Sequence, residues 1–427
     1  MHAMRYHKSG TSTVELNSSE EHLVASGNNV KESEDVAVGE TLNEFGLLYL
    51  KCREKYFMPV SVIKNIMDDV VEFFVNTPEP EVLLDIENLW DSLKKEEKYK
   101  QVCYSYGFVE PIKVSVGVEG DKYYYVPILE TLVRYISHDD VIASIEKNRL
   151  QFGDDILHDF TDGKYFLQSS FFNGNKNMLR IHLYVDEVEV CNPLGSSRGT
   201  HKLTCFYYTL GNVQVKYLSS LRNMHILAVV YSSVVKTYGH SAVLEKFCQD
   251  VWILEHEGIS VKTTDGQNLH FYGGLATISG DNLGSHDIGG FRRCFNSGRI
   301  CRFCMCVYSD LCKKCNEGLF VLRSQQMHDN HVAAVEKDVR LVAAYGVRGA
   351  SPLNSLSSYH VSTGLPPDAM HDLLEGVLPI ALNLILENLF QSNVLSKTQF
   401  HTALKTFKFG RSDSKKFFFL YYHNECK

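Results

Sequence analysis

The chain has 427 residues, of which 44% are hydrophobic and 22% are charged, a composition typical of globular proteins. Its 43 lysines and arginines against 51 aspartates and glutamates give a net charge of −8, which excludes a uniformly basic DNA coat. The polar N-terminus lacks the apolar core of a secretory signal, and the longest strongly apolar stretch, Val377 to Leu386, is shorter than the ~18 residues of a membrane span. We therefore expect a soluble intracellular protein without a membrane partner, with about two to three domains.

The first part of the chain is predicted to precede the main sheet. Residues 1–42 hold seven acidic residues against three basic ones and few aromatics, which predicts a disordered acidic tail. Apolar residues at three- and four-residue steps over 42–74 predict helices, 102–126 is tyrosine-rich and strand-like, and 128–136 favours a further helix. We assign 43–177 to an accessory region of mixed helices and strands.

The middle of the chain predicts an α/β core. Alternating apolar and polar residues indicate three strands, at 178–190, 201–210 and 224–232. An amphipathic helix follows at 238–257, and a fourth strand comes after it at 274–280. The three strands suit an antiparallel meander, and the helix can cross over to set the fourth strand parallel to the first. We assign 178–293 to the first part of this mixed-sheet core.

Two aspartates occupy strand positions that this order would bring together. Asp186 lies in the first strand and Asp281 at the C-terminal end of the fourth, so their carboxylates would converge at one sheet edge, as in the ribonuclease-H-like fold. Carboxylates at such an edge suit Mg²⁺ or Mn²⁺, and two ions ~3.5–4 Å apart would activate the attacking hydroxyl and stabilise the leaving oxygen of a phosphodiester. Asp186 would bridge both ions and Asp281 would hold one. The alternative is that both aspartates form turns or cap helices.

Six of the twelve cysteines fall within 294–315. In a chain without a secretory signal, such a cluster favours metal ligands over disulfides. Two C-x-x-C pairs, Cys301–Cys304 and Cys312–Cys315, predict a structural zinc site in an insertion over 294–345, and the alternative is reduced cysteines in a core. Four further side chains could substitute as ligands: Cys294, Cys306, His328 and His331.

Basic residues gather around the cysteines. They suit phosphate contacts, which supply affinity for DNA rather than sequence specificity, and the alternative is an ordinary solvated surface. The segment 397–427 is also basic. The predicted DNA-contacting residues are Arg292, Arg293, Arg299, Arg302, Lys313 and Lys314.

Four segments resemble one family of transposon-derived, transposase-like proteins. They are YVDEVEVCNPLGSSRGTHKLTCFYYTLGNV (184–213), ISGDNLGSHDIGGF (278–291), CRFC (301–304) and YGVRGASPLNSLSSYHVSTGLPPDAMHDLLEGVLP (345–379). The chain looks like the CACTA and Kyakuja–Dileera–Zisupton DDE transposases over roughly 45–389. The resemblance implies a ribonuclease-H-like core, DNA as a partner (transposon ends or non-specific), homo-oligomers and a nuclear location.

The resemblance also assigns residues to the family motifs. Asp186 matches the first catalytic aspartate and Asp281 the second, while Asp368-Ala-Met-His371 matches a C/D-x-x-H motif. Asp368 and His371 are three residues apart, so on a helix they share one face and suit the positioning of DNA or a phosphate. The run Pro366-Pro367-Asp368 favours a helix start, so the alternative is an N-cap aspartate beside a packed histidine.

The third acid of the family pattern has no clear match. Glu375 and Glu387 are the nearest candidates, both weak, and Glu375 fits the local HDLLEGV motif better than a metal site. We expect 346–427 to be the C-terminal helical part of the core, truncated before that acid. Three hypotheses follow: a two-metal DNA-cleaving transposase, a degenerate non-catalytic remnant that binds DNA or protein, and a zinc-dependent interaction module.

Overall fold

A computed structural model gives the fold of the chain, which divides into two compact units, Met1–Phe108 and Val109–Lys427. The predicted tail over 1–42 and most of the predicted helices over 42–74 lie outside the described residues. The structure describes residues 63, 65, 66, 100, 103, 104, 107–117, 120–148, 156–173, 178–189, 201–311 and 313–408.

The described residues of the second unit form eight strands. In chain order these are β1 (Ile112–Val116), β2 (Asp121–Tyr125), β3 (Leu179–Glu189), β4 (Lys202–Leu210), β5 (His225–Tyr231), β6 (Ile259–Lys262), β7 (Asn268–Phe271) and β8 (Gly273–Ser279).

The helices of the second unit connect and follow these strands. They are α1 (Ile128–Ile136), α2 (Asp139–Asn148), α3 (Lys164–Leu167), α4 (Val215–Leu218), α5 (Ser232–His256), α6 (Asn282–Ile288), α7 (Gln325–Lys337), α8 (Val342–Tyr345), a π-helix (Ala369–Val377), α9 (Leu378–Gln391) and α10 (Lys397–Thr406). Short 3₁₀ turns lie at Phe160–Asp162, Leu221–Asn223, Tyr308–Asp310, Glu317–Leu319, Val339–Leu341 and Pro352–Ser355.

Six strands form one mixed sheet in the order β1-β2-β5-β4-β3-β8, and β6 and β7 form a separate hairpin. All neighbours in the large sheet are antiparallel except β3 and β8, which are parallel. The α/β prediction of an antiparallel meander, a crossover helix and a parallel fourth strand is therefore confirmed. The hairpin of β6 and β7 was missed, because its strands are only four residues long.

The core lies on one face of the sheet, where alternate strand residues meet α5. Ile181, Leu183 and Val185 of β3 are buried, as Phe206 and Tyr208 are on β4. On the facing helix the buried residues recur at helical spacing: Val243, Leu244, Phe247, Val251 and Leu254. Each large apolar side chain buried in this way contributes about 1.5–3 kcal/mol to the stability of the fold. The two-residue period of the strands and the helical period of α5 therefore fix the strand register together.

Helix α5 is longer than the sequence pattern predicted. It begins at Ser232 rather than at 238 and continues to His256. Gly239, with φ 76°, interrupts the helical backbone between the two parts. A side chain at that backbone angle would be strained, so glycine permits the kink.

The part of the predicted accessory region that lies in the second unit contributes to the sheet. Strand β2 pairs with β5, and helix α1 matches its predicted bounds of 128–136. Tyr123 and Tyr125 of β2 are buried, and the Tyr125 hydroxyl donates a hydrogen bond to Asp250 of α5 at 2.6 Å. This alternation of buried and exposed tyrosines makes β2 part of the core.

The π-helix and α9 form one continuous helix of 23 residues, Ala369–Gln391. In the described part of the chain it is the one helix long and apolar enough to span a membrane, a test of length and composition that core helices of soluble proteins also pass. The sequence analysis considered only the apolar stretch 377–386 and missed the full length of the helix, because residues of mixed polarity precede that stretch.

Candidate functional site

Asp186 and Asp281 lie at the same end of two neighbouring parallel strands. The pairing of β3 with β8 runs as far as Tyr184 opposite Ser279, and each aspartate follows its paired residue by two positions. Two residues along a strand return to the same face of the sheet. Both aspartates are exposed and line one pocket of about 270 Å³. The two aspartates therefore lie at the same edge of the sheet and line one pocket.

Each of these carboxylates already accepts one local hydrogen bond. Asp281 is the N-cap of α6, where its Oδ1 accepts from the backbone N–H of Gly284 at 2.5 Å. Asp186 Oδ1 accepts from the backbone N–H of Glu187 at 2.8 Å. The helix-cap alternative is thus correct for Asp281, but a carboxylate has two oxygens and about four acceptor sites. Capping and metal binding are therefore compatible at this residue.

The predicted pair Asp368 and His371 begins the π-helix. Asp368 caps that helix by accepting from the backbone N–H groups of Met370 at 3.0 Å and His371 at 3.2 Å. Its second oxygen pairs with Nδ1 of His371. This hydrogen bond raises the pKa of His371, and the charges of Glu375 and Asp281 raise it further. The arrangement thus favours the protonated form of the imidazole.

Tyr184 connects the two motifs. Partial burial raises the pKa of its hydroxyl, and the charges of Asp186, Asp368 and Asp281 raise it further. Three carboxylates from separate parts of the chain therefore act electrostatically on one tyrosine. The sequence pattern gave no sign of Tyr184, because an exposed tyrosine is ordinary in a strand.

A third aspartate of the pocket, Asp287 of α6, was also missed. Its carboxylate pairs with Arg293 and with Arg348, whose Nη2 is 2.5 Å from Oδ1, and lies 3.8 Å from Nδ1 of His240. Asp287 lines the pocket together with Asp186 and Asp281. The two guanidinium groups neutralise it, so Asp287 orients cations at the pocket rather than adding an unpaired negative charge.

Arg302, predicted to contact DNA, is buried and bonded within the protein. It donates to Oδ1 of Asn282 at 2.7 Å and to the carbonyl of Pro366 at 2.9 Å. Asn282 in turn donates to the carboxylate of Asp372 in the π-helix. Burial lowers the pKa of Arg302, with the charge of Asp372 opposing that shift. Arg302 therefore ties the Cys-rich segment to both aspartate motifs.

The other predicted DNA contacts differ in exposure. Arg293 and Lys313 are exposed. The remaining three are half-buried and donate hydrogen bonds inside the protein: Arg292 to Ser297, Arg299 to Met305 and Ala344, and Lys314 to Asp310. Arg293 and Lys313 are thus the members of the set most accessible to a phosphate.

The cysteines meet only in part. Burial raises the pKa of Cys304 to about 11, and neighbouring Cys301 and Cys306 add to the shift. Cys315 is exposed, Cys294 donates to Asn296 at 2.9 Å, and Cys312 lies outside the described residues. The zinc site stays a prediction.

The two histidines proposed as substitute ligands pack among rings. His328 is fully buried between Phe291, at 5.1 Å between ring centroids, and His360, at 5.4 Å. Burial lowers its pKa to about 4. His331 stacks on Tyr345 at 4.2 Å. Both side chains thus belong to an aromatic cluster, in which the two ring nitrogens of His328 and Nδ1 of His331 are buried without a hydrogen-bond partner among the described residues.

The two candidates for the third acid lie at different distances from the site. Glu375 is exposed on the π-helix, and its charge raises the pKa of His371. Glu387 is exposed on α9, twelve residues further along. Glu375 therefore lies close to His371 and Asp368. Among the described residues, no contact connects Glu387 with the residues of the pocket.

The residues present fit a hydrated divalent cation at the aspartate pair. Mg²⁺ is held in proteins by one or two carboxylates, and water or phosphate oxygens complete its coordination. Within the described residues, no group of three or more His, Cys, Asp or Glu side chains is placed to hold a metal by itself. A second ion therefore needs ligands beyond Asp186 and Asp281. No protein-family model matches this chain, and no curated protein matches it.

Proposed function

We propose that this protein is a transposase-like DNA-binding protein with a ribonuclease-H-like core that cleaves and joins DNA strands at Asp186 and Asp281. One observation carries the proposal: these two carboxylates lie at the same end of parallel neighbouring strands and open into one pocket. The resemblance of the motifs to CACTA and Kyakuja–Dileera–Zisupton transposases supports DNA as the substrate and the nucleus as the location.

The sheet order supports the choice of fold. Strands β5, β4 and β3 form an antiparallel meander, α5 crosses over, and β8 returns parallel to β3. The first acid then lies on β3 and the second directly after β8, which is where the family pattern puts them. A sheet of this kind offers rigid strand ends, and rigid ends hold ligands more accurately than loops do.

The residues of the pocket have separate roles in the proposed reaction. Bound Mg²⁺ or Mn²⁺ would activate the attacking hydroxyl and offset charge on the phosphate. Asp186 and Asp281 would hold the cation through oxygens that they do not use for hydrogen bonds within the protein. His371, whose protonation is favoured by its pairing with Asp368, would donate a hydrogen bond to a phosphate oxygen.

DNA affinity is assigned to cations at the rim. Arg293 lies in the pocket, held by Asp287, and Lys313 is exposed on the Cys-rich segment. Contacts of this type bind the phosphate backbone and weaken as the salt concentration rises. Zn²⁺ on Cys301, Cys304, Cys312 and Cys315 would stabilise the fold of the segment and leave no open coordination position for chemistry.

Calorimetric titration of Mn²⁺ into the full chain tests the cation site. We expect binding heat in the parent, little in Asp186→Asn or Asp281→Asn, and parental heat in the control Glu336→Gln, an exposed acid on α7. Asparagine caps helices as well as aspartate does, so Asp281→Asn should remain folded. Equal heat in the parent and in both aspartate variants would contradict the proposal.

The second candidate function is a non-catalytic remnant that binds DNA or protein. This function is favoured because, among the described residues, no third carboxylate joins Asp186 and Asp281 in a group that could hold a metal. A nicking assay on supercoiled DNA with Mg²⁺ separates the two functions. Nicking that Asp281→Asn abolishes supports the enzyme, whereas DNA binding without nicking supports the remnant.

A further inference from the structure

The helix Ala369–Gln391 exposes apolar side chains on several sides. Among its residues, Leu386 alone is buried. Leu373, Val377, Ile380 and Leu384 recur at four- and three-residue steps and are 53–64% exposed, and Leu374 and Ile385 of the adjoining stripe are 56% exposed. A helix that is apolar all round is stable only when protein or lipid covers it. A further element must therefore cover this surface.

Both ends of the helix are fixed, so the exposed surface has a defined position. At the start, Asp372 accepts a hydrogen bond from Asn282, and Arg302 holds the carbonyl of Pro366. At the other end, Phe390 meets Phe400 of α10 edge-on, at 6.0 Å between ring centroids. The exposed stripe thus lies between two anchored ends.

We propose that the C-terminal segment of the same chain, Phe409–Lys427, covers this helix through its apolar run Phe417–Tyr422. That run has the sequence FFFLYY, six consecutive large apolar or aromatic residues. Nine steps separate Lys408 from Phe417, a reach of roughly 30 Å when extended. Helix α9 is about 21 Å long, so this reach exceeds the length of that helix.

Charge favours this occupant over a second copy of the helix. The helix carries three carboxylates, Asp372, Glu375 and Glu387, and contains no lysine or arginine; its one histidine, His371, is paired with Asp368. Two copies side by side would bring like charges together, which is unfavourable. The apolar run instead follows directly after Lys415 and Lys416, which can pair with the acids. The same acids disfavour burial in lipid, since an acidic side chain within the bilayer is costly.

Hydrogen exchange on the full chain tests the inference. Phe418→Ser combined with Leu420→Ser should weaken the amide protection of 378–391 by about tenfold or more, because two large apolar side chains would no longer cover the helix. The matched control is Leu319→Ser with Val321→Ser, two exposed apolar residues outside the helix, which should leave that protection unchanged.

A charge exchange provides the second measurement. Lys415→Glu with Lys416→Glu should lower the protection of 378–391, and adding Glu387→Lys should restore part of it. Unchanged protection in both the serine and the glutamate variants would overturn the inference. Loss of protection only on dilution, with a change in molar mass by light scattering, would identify a second copy instead, and protection gained only with phospholipid vesicles would identify a membrane. This inference does not depend on the proposed function.

Discussion

Asn282, the first residue of α6, donates a hydrogen bond to the carboxylate of Asp372 in the π-helix, 90 positions further along the chain. The same asparagine accepts from the buried guanidinium of Arg302 at 2.7 Å. One side chain therefore links the helix capped by Asp281 to the helix capped by Asp368. The two aspartate motifs are joined by hydrogen bonds and not by sequence proximity.

Replacing this asparagine should cost more than an ordinary surface substitution. Asn282→Ala leaves a buried Arg302 donor without its acceptor, so we expect about 1–3 kcal/mol of lost unfolding free energy in urea titrations. Combining it with Arg302→Met should cost less than the sum of the two single changes, because both remove the same bond. Additive losses would show that the two side chains act separately.

Two substitutions of Asp281 should separate its capping role from its charge. Asp281→Ala removes the bond to Gly284 and should lower the unfolding free energy by about 0.5–2 kcal/mol, whereas Asp281→Asn should change it little. Both should lose Mn²⁺ binding if the carboxylate is a ligand. Retained Mn²⁺ binding in either variant would show that Asp281 serves only as a cap.

The stability of the protein should depend on pH through His371. Its pKa is raised above the ordinary 6.5 by the hydrogen bond with Asp368, so folding favours the protonated ring. This stabilisation is fully present below pH 6.5 and is lost as the pH rises through the raised value. NMR titration of the ring should show the raised pKa, and Asp368→Asn should return it towards 6.5. A ring that titrates alike in both proteins would contradict the pairing.

The tyrosine of β2 should matter to the whole sheet. Tyr125→Phe removes the 2.6 Å bond to Asp250 and should lower the unfolding free energy by about 1.5–3 kcal/mol at neutral pH. The neighbouring Tyr124→Phe is the control, since Tyr124 is exposed and should stay within about 0.5 kcal/mol of the parent. Equal effects of both changes would argue against β2 as part of the core.

Metal analysis tests the cysteine prediction. We expect about one zinc per purified chain, with most of it lost in the double variant Cys301→Ser, Cys304→Ser. Cys248→Ser, a half-buried cysteine on α5 away from the cluster, is the control and should retain the metal. Zinc content that is zero in the parent, or equal in all three proteins, would rule out these ligands.

Local patterns predicted the strands that form the aspartate site, while partners distant in sequence were harder to infer. Alternation at 178–190 predicted β3, and the segment 274–280 predicted β8, each to within one or two residues. The pairing of Asp287 with Arg348 joins residues 61 positions apart and leaves no periodic signal. The burial of Arg302 was unexpected for the same reason, since a basic residue between cysteines looks like surface.

The three-way contact of Arg302 has a mechanical consequence. Its guanidinium spans α6 and the carbonyl of Pro366, and its own backbone belongs to the C-x-x-C segment. A rigid cross-brace of this kind makes the caps at Asp281 and Asp368 move as one body. Displacement of the Cys-rich segment would therefore disturb the elements that carry both carboxylates at once. The geometry of the two caps therefore depends on the packing of a segment that supplies neither aspartate.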